Sequence, residues 1–88
     1  MSNKSFEKRW MREFVARLEH RMEYLNINKG ELARRAKLTP GTVSNWFHYK
    51  NGPTAMNLVK IAKVLAVKPA YLIDFPDSTY EDNTRTED

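Results

Sequence analysis

The stretch Asn28–Trp46, NKGELARRAKLTPGTVSNW, decides how the rest of the chain has to be arranged. It reads as two short helices joined by a tight turn. Asn28 is followed three residues later by Glu31, the spacing at which a cap side chain and a returning carboxylate satisfy each other's free amides. The spacing predicts a helix over Lys29–Ala36, with Leu32, Ala33 and Ala36 on one face and Arg34, Arg35 and Lys37 on the other. The second element opens at Thr39-Pro40, a capping residue followed by proline at the first helical position, where its missing N–H costs nothing. Val43, Trp46 and Phe47 recur at helical spacing and are expected to point inward, which leaves Gly41, Thr42, Ser44, Asn45 and His48 on other faces. Ala33 is small, as the crossing point of two steeply angled helices requires.

Working outward, the segment from about Ser5 to Leu25 is free of Gly and Pro and carries Phe14, Leu18, Met22 and Leu25 as an apolar stripe, extended by Phe6 and Trp10. It reads as one long first helix in which Phe6 and Trp10 serve as core or as cover for the C-terminal helix. Arg9, Arg12, Glu13, Arg17, Glu19, Arg21 and Glu23 fill the opposite face, where they are expected to be mostly solvated. Asn26–Asn28 forms a turn with Ile27 inward. After the central stretch comes a polar loop, His48–Pro53, with a turn-forming Asn51-Gly52 pair. Thr54 caps a fourth helix over Ala55–Leu65, with Leu58, Ile61, Ala62 and Leu65 on one face. Lys68-Pro69 starts a short fifth helix whose Ala70, Leu72 and Ile73 are expected to close the core. There is no strand pattern and no internal repeat, so the fold class is all-α, a compact five-helix bundle over residues 1–75. From Pro76 on, PDSTYEDNTRTED is polar and acidic and is expected to be a disordered linker or tail over 76–88.

Composition narrows the function. Lys and Arg number 15 against 11 Asp and Glu, a formal charge of +4. The excess sits in the folded part: residues 1–75 hold 14 basic and 6 acidic side chains, whereas 76–88 hold one Arg against 5 acids. A basic domain attracts polyanions. The absence of cysteine removes disulfides and thiolate metal sites and suits a reducing interior. No apolar run approaches the roughly 18 residues that span a membrane, and the polar start MSNKSFEKRW has no signal-peptide core, so a cytoplasmic protein is expected. His20 and His48 stand apart, the acids are scattered, and no nucleophile and base fall together, so neither an enzyme, nor a metal site, nor a cofactor is expected.

In register, these features resemble the helix-turn-helix of the phage repressor and Cro family, the lambda-repressor-like DNA-binding domains. The resemblance runs from about Leu18 to Phe75 and rests on Ala33 at the crossing, Leu38 in the turn, Val43 and Trp46 as inward residues, Pro53 seven residues after the tryptophan, and the run LVKIAKVLAVKPAYL. The chain departs from the pattern at Lys37, where the family's turn usually carries glycine, at Phe47, often acidic, and at Tyr49, commonly glycine. A non-glycine residue forced to positive φ at Lys37 costs roughly 1 kcal/mol.

The resemblance and the residue chemistry together imply the roles. Asn28 and Lys29 match the family's backbone-clamping positions, and Lys50 and Asn51 in the following loop form a second phosphate clamp. Base reading falls on the exposed positions of the recognition helix, Pro40, Gly41, Thr42, Ser44 and Asn45, with His48 beside them. Because proline and glycine offer no side-chain hydrogen bond, direct readout is sparse, and shape, methyl contacts or water must add to it. The expectation is a sequence-specific transcriptional regulator, a phage-type repressor that binds a palindromic double-stranded operator as a homodimer in a bacterial host. The dimer would form through the fifth helix with Phe75, or through a further C-terminal domain of the kind that follows such linkers in similar repressors. The competing expectation is an antitoxin that covers a toxin protein and regulates its own promoter.

Overall fold

The computed structural model describes residues 2–75 of the chain; the acidic segment 76–88 lies outside the described residues. Five helices follow one another: α1 Ser2–Leu25, α2 Lys29–Ala36, α3 Pro40–Phe47, α4 Ala55–Leu65 and α5 Pro69–Ile73. No strand occurs among the described residues. α2 lies against α3 and α4, while α1 runs across α3, α4 and α5.

The core is built from the expected stripes, with additions on α1. Phe14, Leu18, Leu32, Val43, Trp46, Ile61, Leu65 and Leu72 are fully buried. Each such side chain contributes about 1.5–3 kcal/mol through burial, before the entropy cost of ordering the chain. Met11 and Val15 are buried beside the expected residues of α1, because a helix that meets three others must present a wider apolar face than one stripe. Phe14 stands between the two tryptophans, stacked on Trp10 at 5.3 Å and edge-on to Trp46 at 5.8 Å. Trp10 also meets Phe75 edge-on at 5.5 Å, so it covers the C-terminal end of the bundle.

Several expectations are corrected. Ala70 is exposed, and Phe75 rather than Ala70 closes the core beside Leu72. Phe47 packs against the core but stays half-buried, with the Lys29 ammonium over its ring, 4.7 Å from the centre. Arg17 and Arg21 are not part of a solvated face. Arg17 donates to the Tyr71 carbonyl and lies over the rings of Tyr71 and Phe75. Arg21 places Nε and Nη2 3.1 and 2.9 Å from the Leu65 carbonyl. Helix C-termini leave carbonyls without intrahelical donors and carry partial negative charge, and these two arginines answer both needs at α4 and α5.

The first four helices close alike. Asn26, Lys37, Tyr49 and Ala66 take φ of 59°, 61°, 60° and 59°, and no glycine has positive φ. The following amide reaches back across the end in each case: Ile27 to Met22 at 3.0 Å, Leu38 to Ala33 at 2.9 Å, Lys50 to Asn45 at 2.9 Å and Val67 to Ala62 at 3.0 Å. This is the Schellman closure, which normally uses glycine at the left-handed position. Lys37 therefore keeps the backbone of a glycine turn at its own energetic cost. Tyr49 does the same at the second place where the family pattern has glycine.

Candidate nucleic-acid interface

The helix-turn-helix is built by local chemistry that the sequence specifies at short range. The Asn28 side-chain oxygen accepts from the Glu31 amide at 2.8 Å and starts α2. The expected return bond from the Glu31 carboxylate to Asn28 is not present among the described residues. That carboxylate instead accepts from Arg35 at 2.8 Å and Arg34 at 3.3 Å, since two cations within one helical turn outcompete a neutral amide. Thr39 caps α3, its hydroxyl accepting from the Thr42 amide at 3.2 Å and lying 2.9 Å from the Thr42 hydroxyl. Ala33, buried in the α2–α3 crossing, lets the two helices approach.

α3 is two-sided. Val43 and Trp46 are buried, Thr42, Ser44 and Asn45 are half-exposed, and Pro40, Gly41 and His48 stand open to solvent. A Cβ built at Gly41 would meet nothing within 4 Å, so packing does not demand glycine there. The open edge is partly pre-arranged. His48 Nδ1 lies 2.9 Å from the Ser44 carbonyl and 3.2 Å from its hydroxyl. A carbonyl only accepts, so the tautomer protonated on Nδ1 satisfies this contact. The Asn45 side-chain amide has no partner among the described residues.

The expected phosphate residues lie on the elements before and after α3. Asn28 and Lys29 stand exposed at the amino end of α2, with Lys29 held over Phe47 at the end of α3. Its first amides have no intrahelical acceptor, which gives that end partial positive charge. Lys50 and Asn51 are exposed in the loop after α3, and their side chains have no partner among the described residues. The fold thus places one set of expected residues on α3, Lys29 against Phe47 at the carboxyl end of that helix, and Lys50 and Asn51 in the loop that follows it. Sequence reasoning missed the Lys29–Phe47 contact and the Thr39–Thr42 hydroxyl pair. The first joins residues 18 positions apart with no periodic signal between them, whereas the second carried a legible three-residue spacing.

Among the described residues no group of His, Cys, Asp or Glu could hold a metal ion, and no helix is long and apolar enough to cross a membrane.

A half-exposed helix presented by a short capped helix and a tight turn, on a five-helix frame, defines a helix-turn-helix DNA-binding domain. A sequence model described as helix-turn-helix matches residues 19–72, and the chain belongs to that family, the lambda repressor and Cro-like helix-turn-helix domains. The protein is a DNA-binding transcription regulator of this class. No curated protein and no solved structure matched the chain.

Proposed function

We propose that the protein is a phage-type repressor that binds a palindromic operator as a homodimer and blocks transcription by occupying the site. Residues 1–75 are its DNA-binding domain and residues 76–88 an acidic linker or tail. The observation that carries this reading is the single continuous edge of α3: Pro40, Gly41, Thr42, Ser44, Asn45 and His48 lie on it, opposite buried Val43 and Trp46. With that edge in the major groove, the base-reading group faces the base pairs, while Asn28 and Lys29 at the amino end of α2 and Lys50 and Asn51 in the loop after α3 meet backbone phosphates. Asn45, whose amide has no competing partner among the described residues, is the principal reader and suits the N6 and N7 edge of adenine. Thr42 and Ser44, engaged with Thr39 and His48, contribute a methyl surface and fixed hydroxyls.

A single sparse helix gives little discrimination, so two half-sites about one helical turn apart are needed. Phe75 is buried against Trp10 and Arg17, which removes it from the expected dimer surface. A dimer through α5 would use its exposed Pro69 and Ala70, the alternative being a domain beyond the acidic segment.

The test is selection of bound sequences from random duplex DNA at two salt concentrations. The expected result is a palindrome bound about 10³-fold or more above random duplex. Recovery of no motif, with binding lost uniformly as salt rises, would leave only the electrostatic attraction and refute the reading. Asn45→Ala should relax preference at one position per half-site by about 1–3 kcal/mol; unchanged preference would remove Asn45 as the reader.

A further inference from the structure

A groove lies beside the loop that carries two of the expected phosphate residues. Phe6, Glu7, Lys8 and Trp10 line it from α1, and Tyr49 and Lys50 line it from the α3–α4 loop. Its volume is about 960 Å³, at the upper end of the roughly 300–1,000 Å³ of ligand pockets. The family match begins at residue 19, so the α1 wall belongs to a part of that helix for which the family does not account.

The lining combines charge with apolar surface. Lys8 and Lys50 are exposed and make no ion pair among the described residues. Glu7 is the one acid among the lining residues, and the rings of Phe6, Trp10 and Tyr49 supply the apolar part. Two cations against one carboxylate offer little to a duplex backbone, which carries a charge about every 1.7 Å. A peptide that brings carboxylates together with an aromatic ring matches both halves of the lining.

Such a peptide is joined to the groove. Phe75 is buried and packs edge-on against Trp10 at 5.5 Å, so residues 76–88 leave the described fold from a ring that itself touches the groove wall. They hold Asp77, Glu81, Asp82, Glu87 and Asp88 against Arg85, with Tyr80 as their aromatic residue. An extended segment of that length reaches up to about 45 Å, which puts the loop wall as well as the α1 wall in range. A segment tethered so near its site meets it at an effective concentration in the millimolar range, so even a weak contact is populated.

We infer that residues 76–88 dock in this groove, their carboxylates toward Lys8 and Lys50 and Tyr80 against the rings, and so compete with DNA for Lys50 and Asn51. The competition rests on the reading of Lys50 and Asn51 as a phosphate clamp; the docking does not. Because a phosphate contact carries no sequence information, the docked segment lowers affinity for every duplex alike and leaves the preference set by α3 unchanged.

The experiment uses the full chain. It has no cysteine, so Thr84→Cys gives a single site for a nitroxide label, and the loss of amide NMR intensity near the label maps where the segment goes. At low salt the amides of Lys8–Met11 and Tyr49–Gly52 should lose most of their intensity, while those of Arg34, Arg35 and Lys37, an exposed basic group at the end of α2, keep theirs. The losses should vanish at about 1 M salt, where the screening length is about 3 Å. They should vanish too in a labelled chain carrying Asp77→Asn, Glu81→Gln, Asp82→Asn, Glu87→Gln and Asp88→Asn. Losses spread over both basic surfaces, or none at the groove, would overturn the docking. Losses that pass to an unlabelled copy mixed with the labelled chain would put a second copy in the groove and overturn it as well. Saturating random duplex should restore the groove intensities; losses that persist on the DNA-bound chain would overturn the competition. Lys50→Ala keeps the two readings apart: DNA binding with an unchanged salt slope would refute the clamp, whereas the docking is judged on the free protein.

Discussion

Replacing Ala66 by glycine should stabilise the protein, whereas the same replacement at Ala16 should destabilise it. Ala66 ends α4 at φ 59° and ψ 44° and is exposed, so removing its methyl group costs no buried contact. Holding an L-residue in the left-handed region costs roughly 1–2 kcal/mol, which glycine avoids. Glycine brings an opposing cost of about 0.5–1 kcal/mol, because its unfolded chain is freer. The difference is a net gain of roughly 0.5–1 kcal/mol. A domain of this size shifts its melting temperature by about 4–8 °C per kcal/mol, so Ala66→Gly should raise it by roughly 3–6 °C. Ala16 is also exposed but lies within α1, where only the entropic cost applies and stability falls by about 0.5–1 kcal/mol. Thermal and urea melts followed by circular dichroism would compare both variants with wild type. A melting temperature for Ala66→Gly at or below wild type, or a shift of the same sign in both variants, would refute the account of these helix ends.

Other changes probe the packing, the helix ends and the clamp. Ala33→Leu puts extra methylenes into the α2–α3 crossing, where the native side chain is 1% exposed, and should cost about 1–3 kcal/mol in a urea melt. Arg21→Met keeps the apolar stem but leaves the Leu65 carbonyl without its guanidinium, which should lower stability by roughly 1.5–3 kcal/mol; an unchanged melt would mean that solvent replaces the contact. Lys50→Ala should weaken operator and random duplex equally and reduce the salt slope by about one, read from binding titrations across salt. A change in the selected motif would instead assign Lys50 to base reading.

The helices that carry the site were legible because their signals are local. Asn28, Thr39 and Thr54 mark starts with a side-chain oxygen and an amide three residues on, and each accepts that bond in the structure. Val43 and Trp46 share a buried face because a three-residue step nearly completes a helical turn. The extent of α1 was read a few residues short, since a run of polar residues without Gly or Pro gives no marker of where a helix begins.

What the tertiary structure alone decided lies between residues far apart in the chain. Arg17 and Arg21 have the spacing of solvated surface charges, and nothing within α1 reveals that the ends of α5 and α4 stop beside them. Phe75 could be a surface anchor or a core residue on its sequence, and the position of Trp10 settles it as core. Caps, periodicity and small residues at crossings follow from near-neighbour sterics and hydrogen bonding, so the sequence by itself determined the helices, their inward faces and the helix-turn-helix. Which cation serves a distant carbonyl, and which ring covers the end of the bundle, depends on how the helices cross, and that is set only when the whole core packs.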